Sequence, residues 1–184
     1  YYKYVKLHER NRQISVALII TTYNRPDALD LVLKSALTQT RLPDEIIVAD
    51  DGSGQETAEA VDFIKRRTTV PVKHSWRPDD GFRAAESRNR ALAMAKSDYI
   101  ILIDGDMLLD ASFIADHLKL ARKGRLIQGS RVILTEARTQ EILAGSTLPD
   151  LSLWSRGIEK RLSALRCRLL SALAAKNGSQ KHRG

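Results

Sequence analysis

Short apolar runs alternate with segments of helical periodicity along the first 134 residues of the chain. Runs rich in Ile, Val and Leu, bounded by polar residues, indicate strands buried on both faces. Apolar residues repeated at helical spacing between those runs indicate amphipathic helices. The predicted strands are 14–20, 45–49, 70–75, 99–104 and 126–134, and the predicted helices are 26–37, 55–67, 84–95 and 112–123. This alternation predicts an α/β fold with a mostly parallel sheet flanked by helices.

The same pattern divides the chain into three parts. Residues 1–13 are a polar lead-in, residues 14–134 carry the strand–helix alternation, and residues 135–184 form a connector, a basic amphipathic helix and a flexible tail. The apolar face of that predicted helix consists of Ile158, Leu162, Leu165, Leu169 and Leu173. This helix either packs its leucines on the rest of the protein, which we favour, or lies on an anionic membrane surface.

Three of the predicted strands end in polar clusters. These clusters are Thr21–Asn24, Asp50–Ser53 and Asp104–Asp106. Two carboxylates as close as Asp104 and Asp106 repel each other unless a cation lies beside them, and oxygen ligands suit Mg²⁺ or Mn²⁺. The ring of Tyr23 can stack on a base, and Asp50 and Asp51 can accept hydrogen bonds from a base or a ribose. Together the clusters predict a site for a nucleoside diphosphate and its metal, although each alone could simply cap a helix or form a turn.

Charge and composition narrow the classes of function. The net charge is +8, but residues 156–184 alone carry eight Lys or Arg and one Glu, so the basic character belongs to the tail. Because that tail has few aromatic residues, we expect no nucleic-acid binding. The single cysteine, Cys167, excludes a disulfide framework and a cysteine-based zinc site. We expect a cytoplasmic location, with the basic helix allowing a peripheral position on the inner face of the plasma membrane.

The three clusters also carry a family resemblance. The segments Val16–Arg25, Ile47–Ser53 and Ile103–Asp106 resemble the signature of glycosyltransferase family 2, over roughly Ile14–Leu134. Gly81–Asn89 is similar to a stretch in the bacterial branch that builds chondroitin-like capsules and lipopolysaccharide sugars. The resemblance implies a Rossmann-like, A-type fold and an inverting transfer of a sugar from a nucleotide-sugar donor, expected to be a UDP-sugar. The expected acceptor is a glycan or a lipid-linked sugar in the synthesis of cell-surface polysaccharide.

The resemblance further implies roles for individual residues. It places Tyr23 on the uracil ring, Asp51 at the edge of the base with Asp50 nearby, and Arg88 and Asn89 near the diphosphate or the donor sugar. The residues predicted to bind the nucleotide-sugar are Thr22, Tyr23, Asn24, Arg25, Asp50, Asp51, Arg88, Asn89 and Asp104, and those predicted to bind Mn²⁺ or Mg²⁺ are Asp106 and Asp104. Arg83, Asp79 and Asp80 are further candidates at the donor, whereas His74 and Trp76 are expected to be packing residues.

One part of the family pattern is missing from the sequence. An inverting transferase needs a general base that deprotonates the acceptor hydroxyl. In the family this carboxylate lies well beyond the metal motif, in the acceptor-binding half, usually in a Glu-Asp pair. After Asp106 every acidic residue of this chain is isolated. The sequence therefore predicts that the acceptor half is absent and leaves the general base unassigned.

Two alternatives of other classes remain open from the sequence. A phosphatase of the haloacid dehalogenase type would use Asp104 as a nucleophile, but that motif normally continues with Gly and then Thr or Val, whereas Met107 follows here. A non-enzymatic, receiver-like domain would bind Mg²⁺ through Asp50 and Asp51 beside a phosphorylated Asp104. It would also require a lysine on a later strand, and residues 126–134 contain none.

Overall fold

A four-stranded parallel sheet forms the centre of the protein. A computed structural model describes residues 13–145, 147–149 and 156–159. The strands are β1 (Val16–Thr22), β2 (Glu45–Asp50), β3 (Val72–Ser75) and β4 (Tyr99–Asp104), in the spatial order β3-β2-β1-β4. β1 pairs in parallel with β2 on one side and with β4 on the other. The structure confirms the predicted parallel sheet and four of its strands. However, β4, predicted to be buried on both faces, is an edge strand, and its Leu102 is 41% exposed.

Helices connect these strands and cover both faces of the sheet. The helices are α1 (Pro26–Leu37), α2 (Gln55–Lys65), α3 (Ala84–Met94), α4 (Phe113–Leu120) and α5 (Glu136–Gly145). Pro26 occupies the first turn of α1, where its missing N–H costs no hydrogen bond. None of the helices in the described part of the chain has the length and apolar character that crossing a membrane requires.

The core consists of two apolar layers of unequal size. On one face, Leu18 and Ile20 of β1 pack with Leu29 of α1, Val61 of α2 and Ile114 of α4. On the other face, a smaller cluster joins Ile19 and Ile47 to Ala91 of α3. Because β1 and β2 are covered on both faces, their sequences are continuous apolar runs rather than alternating ones.

The order of the strands creates a crevice between β1 and β4. The chain proceeds outward from β1 to β2 and β3, and α3 then returns it across the sheet to β4, on the opposite side of β1. Such a reversal leaves a gap at the carboxyl ends of the two strands where ligands bind in open α/β sheets. The sheet therefore brings the ends of β1, β2 and β4 to one edge.

The predictions after residue 125 are partly wrong. Of the predicted strand 126–134, only Ile133–Leu134 (β5) is extended, and it pairs antiparallel with Ile158–Glu159 (β6) outside the main sheet. The polar residues 128–131 interrupt the apolar pattern, so this stretch cannot be a buried central strand. Helix α5 lies in the connector, where the sequence predicts no element. Ile158 belongs to β6 rather than to the predicted basic helix, and 160–184, like 1–12, lie outside the described residues.

A buried carboxylate fixes the amino end of β2. Glu45 is almost fully buried and accepts hydrogen bonds from Lys73 at 2.6 Å and from the backbone N–H groups of Lys96 and Ser97 at 2.7 and 2.8 Å. Burial by itself would raise the pKa of Glu45, but these donors and the Ser97 hydroxyl outweigh it and lower the pKa to about 2. The ionised side chain thus ties β2 to β3 and to the turn before β4.

We expect Glu45→Gln to lower the free energy of unfolding by about 3 kcal/mol at pH 7. A folded-state pKa of about 2, against the ordinary 4.5, means that Glu45 stabilises the fold above pH 4.5 and that this contribution disappears as the pH falls toward 2. The difference in free energy of unfolding between the wild type and the variant should therefore become smaller as the pH falls through that range. Urea unfolding at several pH values measures it. Glu59→Gln, on the exposed face of α2, is the control and should change little. A pH-independent difference would contradict the assignment.

Candidate nucleotide and metal site

A cavity of about 350 Å³ opens at the carboxyl edge of the sheet. Its walls come from the ends of β1, β2 and β4, the start of α3 and the loop before it. The lining residues are Thr21, Thr22, Tyr23, Arg25, Ala49, Asp51, Phe82, Ala84, Arg88, Asp104, Gly105 and Asp106. The structure thus confirms that the three polar clusters of the sequence meet in one crevice.

Asp104 at the end of β4 and Asp106 just after it have different surroundings. Asp104 Oδ1 accepts a hydrogen bond from the Thr21 hydroxyl at 3.0 Å and forms an ion pair with Arg88 Nη2 at 2.8 Å. The Asp106 carboxylate is exposed and accepts no hydrogen bond from the described residues. Arg25 is close enough for the charge of Asp106 to contribute, after that of Asp27, to raising the pKa of the guanidinium. One carboxylate is therefore held in place and the other is available to a ligand.

Close contact with β1 requires a glycine between these two aspartates. A Cβ atom at Gly105 would lie 2.5 Å from the backbone oxygen of Thr21 and 3.3 Å from the side chain of Thr22. Any other residue would push the chain away from β1. Gly105 therefore allows the segment that carries both carboxylates to run directly against the neighbouring strand.

Two aromatic side chains, Tyr23 and Phe82, also line the cavity. Tyr23 is half exposed, and its hydroxyl donates a hydrogen bond to Asp79 Oδ2 at 3.0 Å, a contact that raises the pKa of the phenol. Phe82 is 93% exposed although it is large and apolar. The sequence prediction missed Phe82, because a single aromatic residue in a loop gives no periodic signal. Trp76, predicted to be a packing residue, lies outside the lining and donates its indole N–H to the Ser53 carbonyl at 2.9 Å.

Asp51 accepts more hydrogen bonds than the other acidic side chains that line the cavity. It is 4% exposed, and its Oδ1 accepts hydrogen bonds from Arg77 at 3.1 Å and from the Ser87 hydroxyl at 2.8 Å. Its Oδ2 accepts a hydrogen bond from the backbone N–H of Arg83 at 2.8 Å. Burial alone would raise the pKa of Asp51, but these donors lower it, so the carboxylate is ionised. Arg77 and Ser87 were not predicted as site residues, since only the path of the loop after β3 reveals their contact.

Loop 76–83 is closely fitted against the turn after β2. Gly52 has a φ of +101°, and a Cβ atom there would lie 2.5 Å from the Asp79 Cα. The Arg83 guanidinium pairs with Asp80 at 2.7 Å rather than lining the cavity. Asp79 and Asp80, predicted candidates for donor contact, are likewise engaged at Tyr23 and Arg83 in this structure.

Three predicted nucleotide-binding residues lie outside the lining of the cavity. Asp50 is fully buried and binds His74 Nε2 at 2.8 Å and the Ser53 N–H at 2.8 Å, so its side chain supports the turn from within. Asn24 adopts a left-handed φ of 48° and accepts a hydrogen bond from the Gly54 N–H, which joins the loops after β1 and β2. Asn89 is exposed on α3. The predicted residues that line the cavity are Thr22, Tyr23, Arg25, Asp51, Arg88, Asp104 and Asp106.

A comparison with protein families identifies the chain. The model of glycosyl transferase family 2 matches residues 17–176, which include all of the sheet except Val16 and every residue of the cavity. The chain belongs to glycosyl transferase family 2. Its central parallel sheet with flanking helices is the A-type glycosyltransferase fold predicted from the sequence.

Curated relatives and a solved structure agree with this assignment. A chondroitin synthase of Pasteurella multocida is 30% identical over 76% of the chain and 14% of its own length. An Escherichia coli UDP-Glc:α-D-GlcNAc-diphosphoundecaprenol β-1,3-glucosyltransferase is 36% identical over 50% of the chain and 35% of its own length. The crystal structure of Staphylococcus aureus TarS 1–349 in complex with UDP-GlcNAc matches 58% of the chain and 31% of its own, with a TM-score of 0.51 and 25% identity. The chain therefore spans about a third or less of each of these proteins.

The two alternatives from the sequence are not favoured. A phosphatase of the haloacid dehalogenase type and a receiver-like domain both disagree with the family match. The structure adds a physical objection to the receiver-like site. Asp50 is fully buried and bonded to His74 and the Ser53 N–H, so its side chain supports the turn and does not line the cavity with Asp104.

We expect Gly105→Ala to lower the free energy of unfolding by about 1–3 kcal/mol, because the added methyl group collides with the Thr21 carbonyl. Urea unfolding of the purified chain measures the effect. Gly129→Ala is the matched control, since a Cβ there would meet no atom closer than 3.8 Å. Equal effects of the two substitutions would show that the contact with β1 does not constrain this segment.

Proposed function

We propose that this chain binds a UDP-sugar together with a divalent metal ion and transfers the sugar, with inversion, to a glycan or lipid-linked acceptor. The observation that carries the proposal is that Asp104 and Asp106 share one cavity with Tyr23 and Asp51, in a chain of glycosyl transferase family 2. UDP as the nucleotide is supported by the TarS complex with UDP-GlcNAc and by the UDP-Glc named for the E. coli relative. Cell-surface polysaccharide as the product is supported by the similarity to a chondroitin synthase.

The carboxylates of the cavity fit a metal ion whose coordination is completed by the diphosphate of the nucleotide-sugar. Asp106 has no hydrogen-bond donor among the described residues, and Asp104 uses only Oδ1 in its contacts. No group of three or more metal-binding side chains exists in the described ranges. Mn²⁺ and Mg²⁺ accept such incomplete protein sites, because water and phosphate oxygens complete their coordination. Asp106 and Asp104 would therefore hold the ion against the diphosphate.

The remaining cavity residues would bind and orient the donor. The exposed Tyr23 ring offers a flat surface for the base, and the ionised Asp51, fixed by three donors, can accept a further hydrogen bond from its edge. Arg25 and Arg88 supply positive charge for phosphate oxygens. The buried hydroxyl of Thr22 has no partner among the described residues, as expected at a site that a ligand completes. When bound, the metal ion would stabilise the charge that develops on the departing diphosphate.

The base that activates the acceptor must come from outside this set of carboxylates. Asp51 is held by Arg77, Ser87 and Arg83, and the other two acids of the lining are the metal ligands of the proposal. A metal-bound carboxylate cannot also take the proton of an attacking hydroxyl efficiently. In this proposal the cavity would bind the nucleotide-sugar and stabilise the leaving group, and the general base stays unassigned.

We expect UDP to raise the Tm of the chain by about 5–10 °C at a 100-fold excess over its Kd, provided that Mn²⁺ or Mg²⁺ is present. Asp106→Asn should remove most of the metal-dependent part, because it takes a negative ligand from the site without changing its shape. Thermal-shift titrations with UDP, GDP, TDP and CMP, each with and without metal, provide the measurement. Asp62→Asn, exposed on α2, is the matched control. A metal-dependent shift that survives Asp106→Asn would contradict the role of Asp106.

We also propose that the basic C-terminal segment, residues 160–184, can contact the inner face of the plasma membrane, where lipid-linked acceptors are found. Packing of its leucines on the rest of the protein, which the sequence favours, is the alternative that the test separates from it. This segment lies outside the described residues, and the proposal rests on its sequence alone. The chain should pellet with anionic vesicles at low salt and lose this property when Arg161, Arg166 and Arg168 are changed to Gln. Changing Lys65, Arg66 and Arg90 to Gln removes the same charge from the surface of the described fold and is the control. Absence of pelleting at low salt would end the proposal.

A further inference from the structure

We infer that Arg88 is a positioning residue that occupies the metal-binding Asp104 until the nucleotide arrives, so that metal and nucleotide bind cooperatively. This inference rests on the proposed function and deepens it. It concerns what the arginine does to Asp104 in the free protein, and its consequence is that the metal ion alone binds weakly.

The contact between Arg88 and Asp104 is direct but incomplete. Nη2 of Arg88 lies 2.8 Å from Asp104 Oδ1, and the Thr21 hydroxyl reaches the same oxygen at 3.0 Å. The Arg88 Nε is buried and has no hydrogen-bond partner among the described residues. A single contact through Nη2 lacks the paired geometry of a strong arginine–carboxylate bond. Both side chains are more than a third exposed, so water weakens the pair further. The arginine can therefore exchange Asp104 for a better anionic partner.

The Arg88–Asp104 ion pair is the contact that a metal ion must disturb, because the other charged side chains of the cavity do not oppose its binding. Asp51 is neutralised by Arg77 at 3.1 Å, and Arg25 pairs with Asp27 at 3.0 Å. Asp106 has no ion-pair partner within the described chain, so a metal ion can bind it without breaking a bond. To bind Asp104 as well, the ion must either displace the guanidinium or accept a positive charge beside it, and both cost free energy.

A diphosphate removes this conflict. Its oxygens carry several negative charges, so one group can bind the metal ion while another accepts the guanidinium released from Asp104. Arg88 belongs to α3, and the start of that helix is fixed to Asp51 through the Arg83 N–H and the Ser87 hydroxyl. The arginine therefore needs only a side-chain rotation to change partners. By linkage, each ligand then increases the affinity of the other.

A purely structural role for the ion pair leads to different expectations. If Arg88 only stabilised the fold, its replacement would lower stability and weaken metal and nucleotide binding together. If Arg88 competes with the metal ion, removal of its charge should strengthen the binding of metal alone and weaken the binding of UDP. The affinity for Mn²⁺ in the absence of nucleotide therefore separates the two roles.

The test is isothermal titration calorimetry of the full chain with Mn²⁺ alone, UDP alone, and Mn²⁺ at saturating UDP, corrected for association of Mn²⁺ with UDP in solution. We expect Arg88→Gln to bind Mn²⁺ alone about 10-fold more tightly than the wild type, and to reduce the coupling between Mn²⁺ and UDP by a similar factor. Arg88→Lys keeps the positive charge and should retain the weak binding of Mn²⁺ alone. Arg90→Gln, two residues along α3 and paired with Glu86 outside the cavity, is the matched control and should behave as the wild type.

The outcomes separate this inference from the function on which it rests. If Arg88→Gln does not fold, Arg88→Met, which keeps the aliphatic part of the side chain, replaces it and carries the same expectation. A wild type that binds Mn²⁺ and UDP together, combined with neutral Arg88 variants that bind Mn²⁺ alone no more tightly, would overturn the role of Arg88 and leave the proposed function standing. A wild type that binds UDP in neither the presence nor the absence of Mn²⁺ would overturn both.

Discussion

The burial of β1 between two parallel neighbours is the constraint on which the rest of the structure depends. Because β2 and β4 run in the same direction as β1, all three strands end at one edge, and the polar residues that follow them face a common space. The apolar residues of β1 are covered on both faces, so its register cannot slip without exposing the core. The relative positions of Thr21, Asp51 and Asp104 are therefore consequences of packing far from the cavity.

Carboxylates in this protein fall into two groups according to the donors around them. Glu45, Asp50 and Asp51 are buried and receive two or more hydrogen bonds each, and their pKa values are lowered in consequence. Such groups fix turns and strand ends, because a buried charge without donors would destabilise the fold. Asp104 and Asp106 are more exposed and only partly satisfied. The contrast separates the carboxylates that support the fold from the two that we propose as metal ligands.

The sequence was sufficient for the parts of the fold that depend on local pattern. Continuous apolar runs predict β1, β2 and β4, and the polar residues at their ends predict the common crevice. It was insufficient where tertiary contacts decide. The sequence pattern does not show that the Asp50 side chain is buried while that of Asp51 lines the cavity. The reason is that His74, which binds the Asp50 carboxylate, lies on another strand. Only the path of loop 76–83 brings Phe82 to the cavity and Arg77 to Asp51. The apolar composition of residues 126–134 predicts a strand, but no strand of the main sheet pairs with them.

Loop 76–83 supports one half of the cavity, and Thr21 and Arg88 support the other. Tyr23, Ser53 and Asp51 are bonded to Asp79, Trp76 and the Arg83 N–H, whereas Asp104 is bonded to Thr21 and Arg88. The two sets of bonds have no side-chain contact in common. The two halves are nevertheless joined through α3, because the Arg83 N–H and the Ser87 hydroxyl bind Asp51 while Arg88 of the same helix binds Asp104. A substitution that displaces the start of α3 should therefore disturb the aromatic side and the paired carboxylates together.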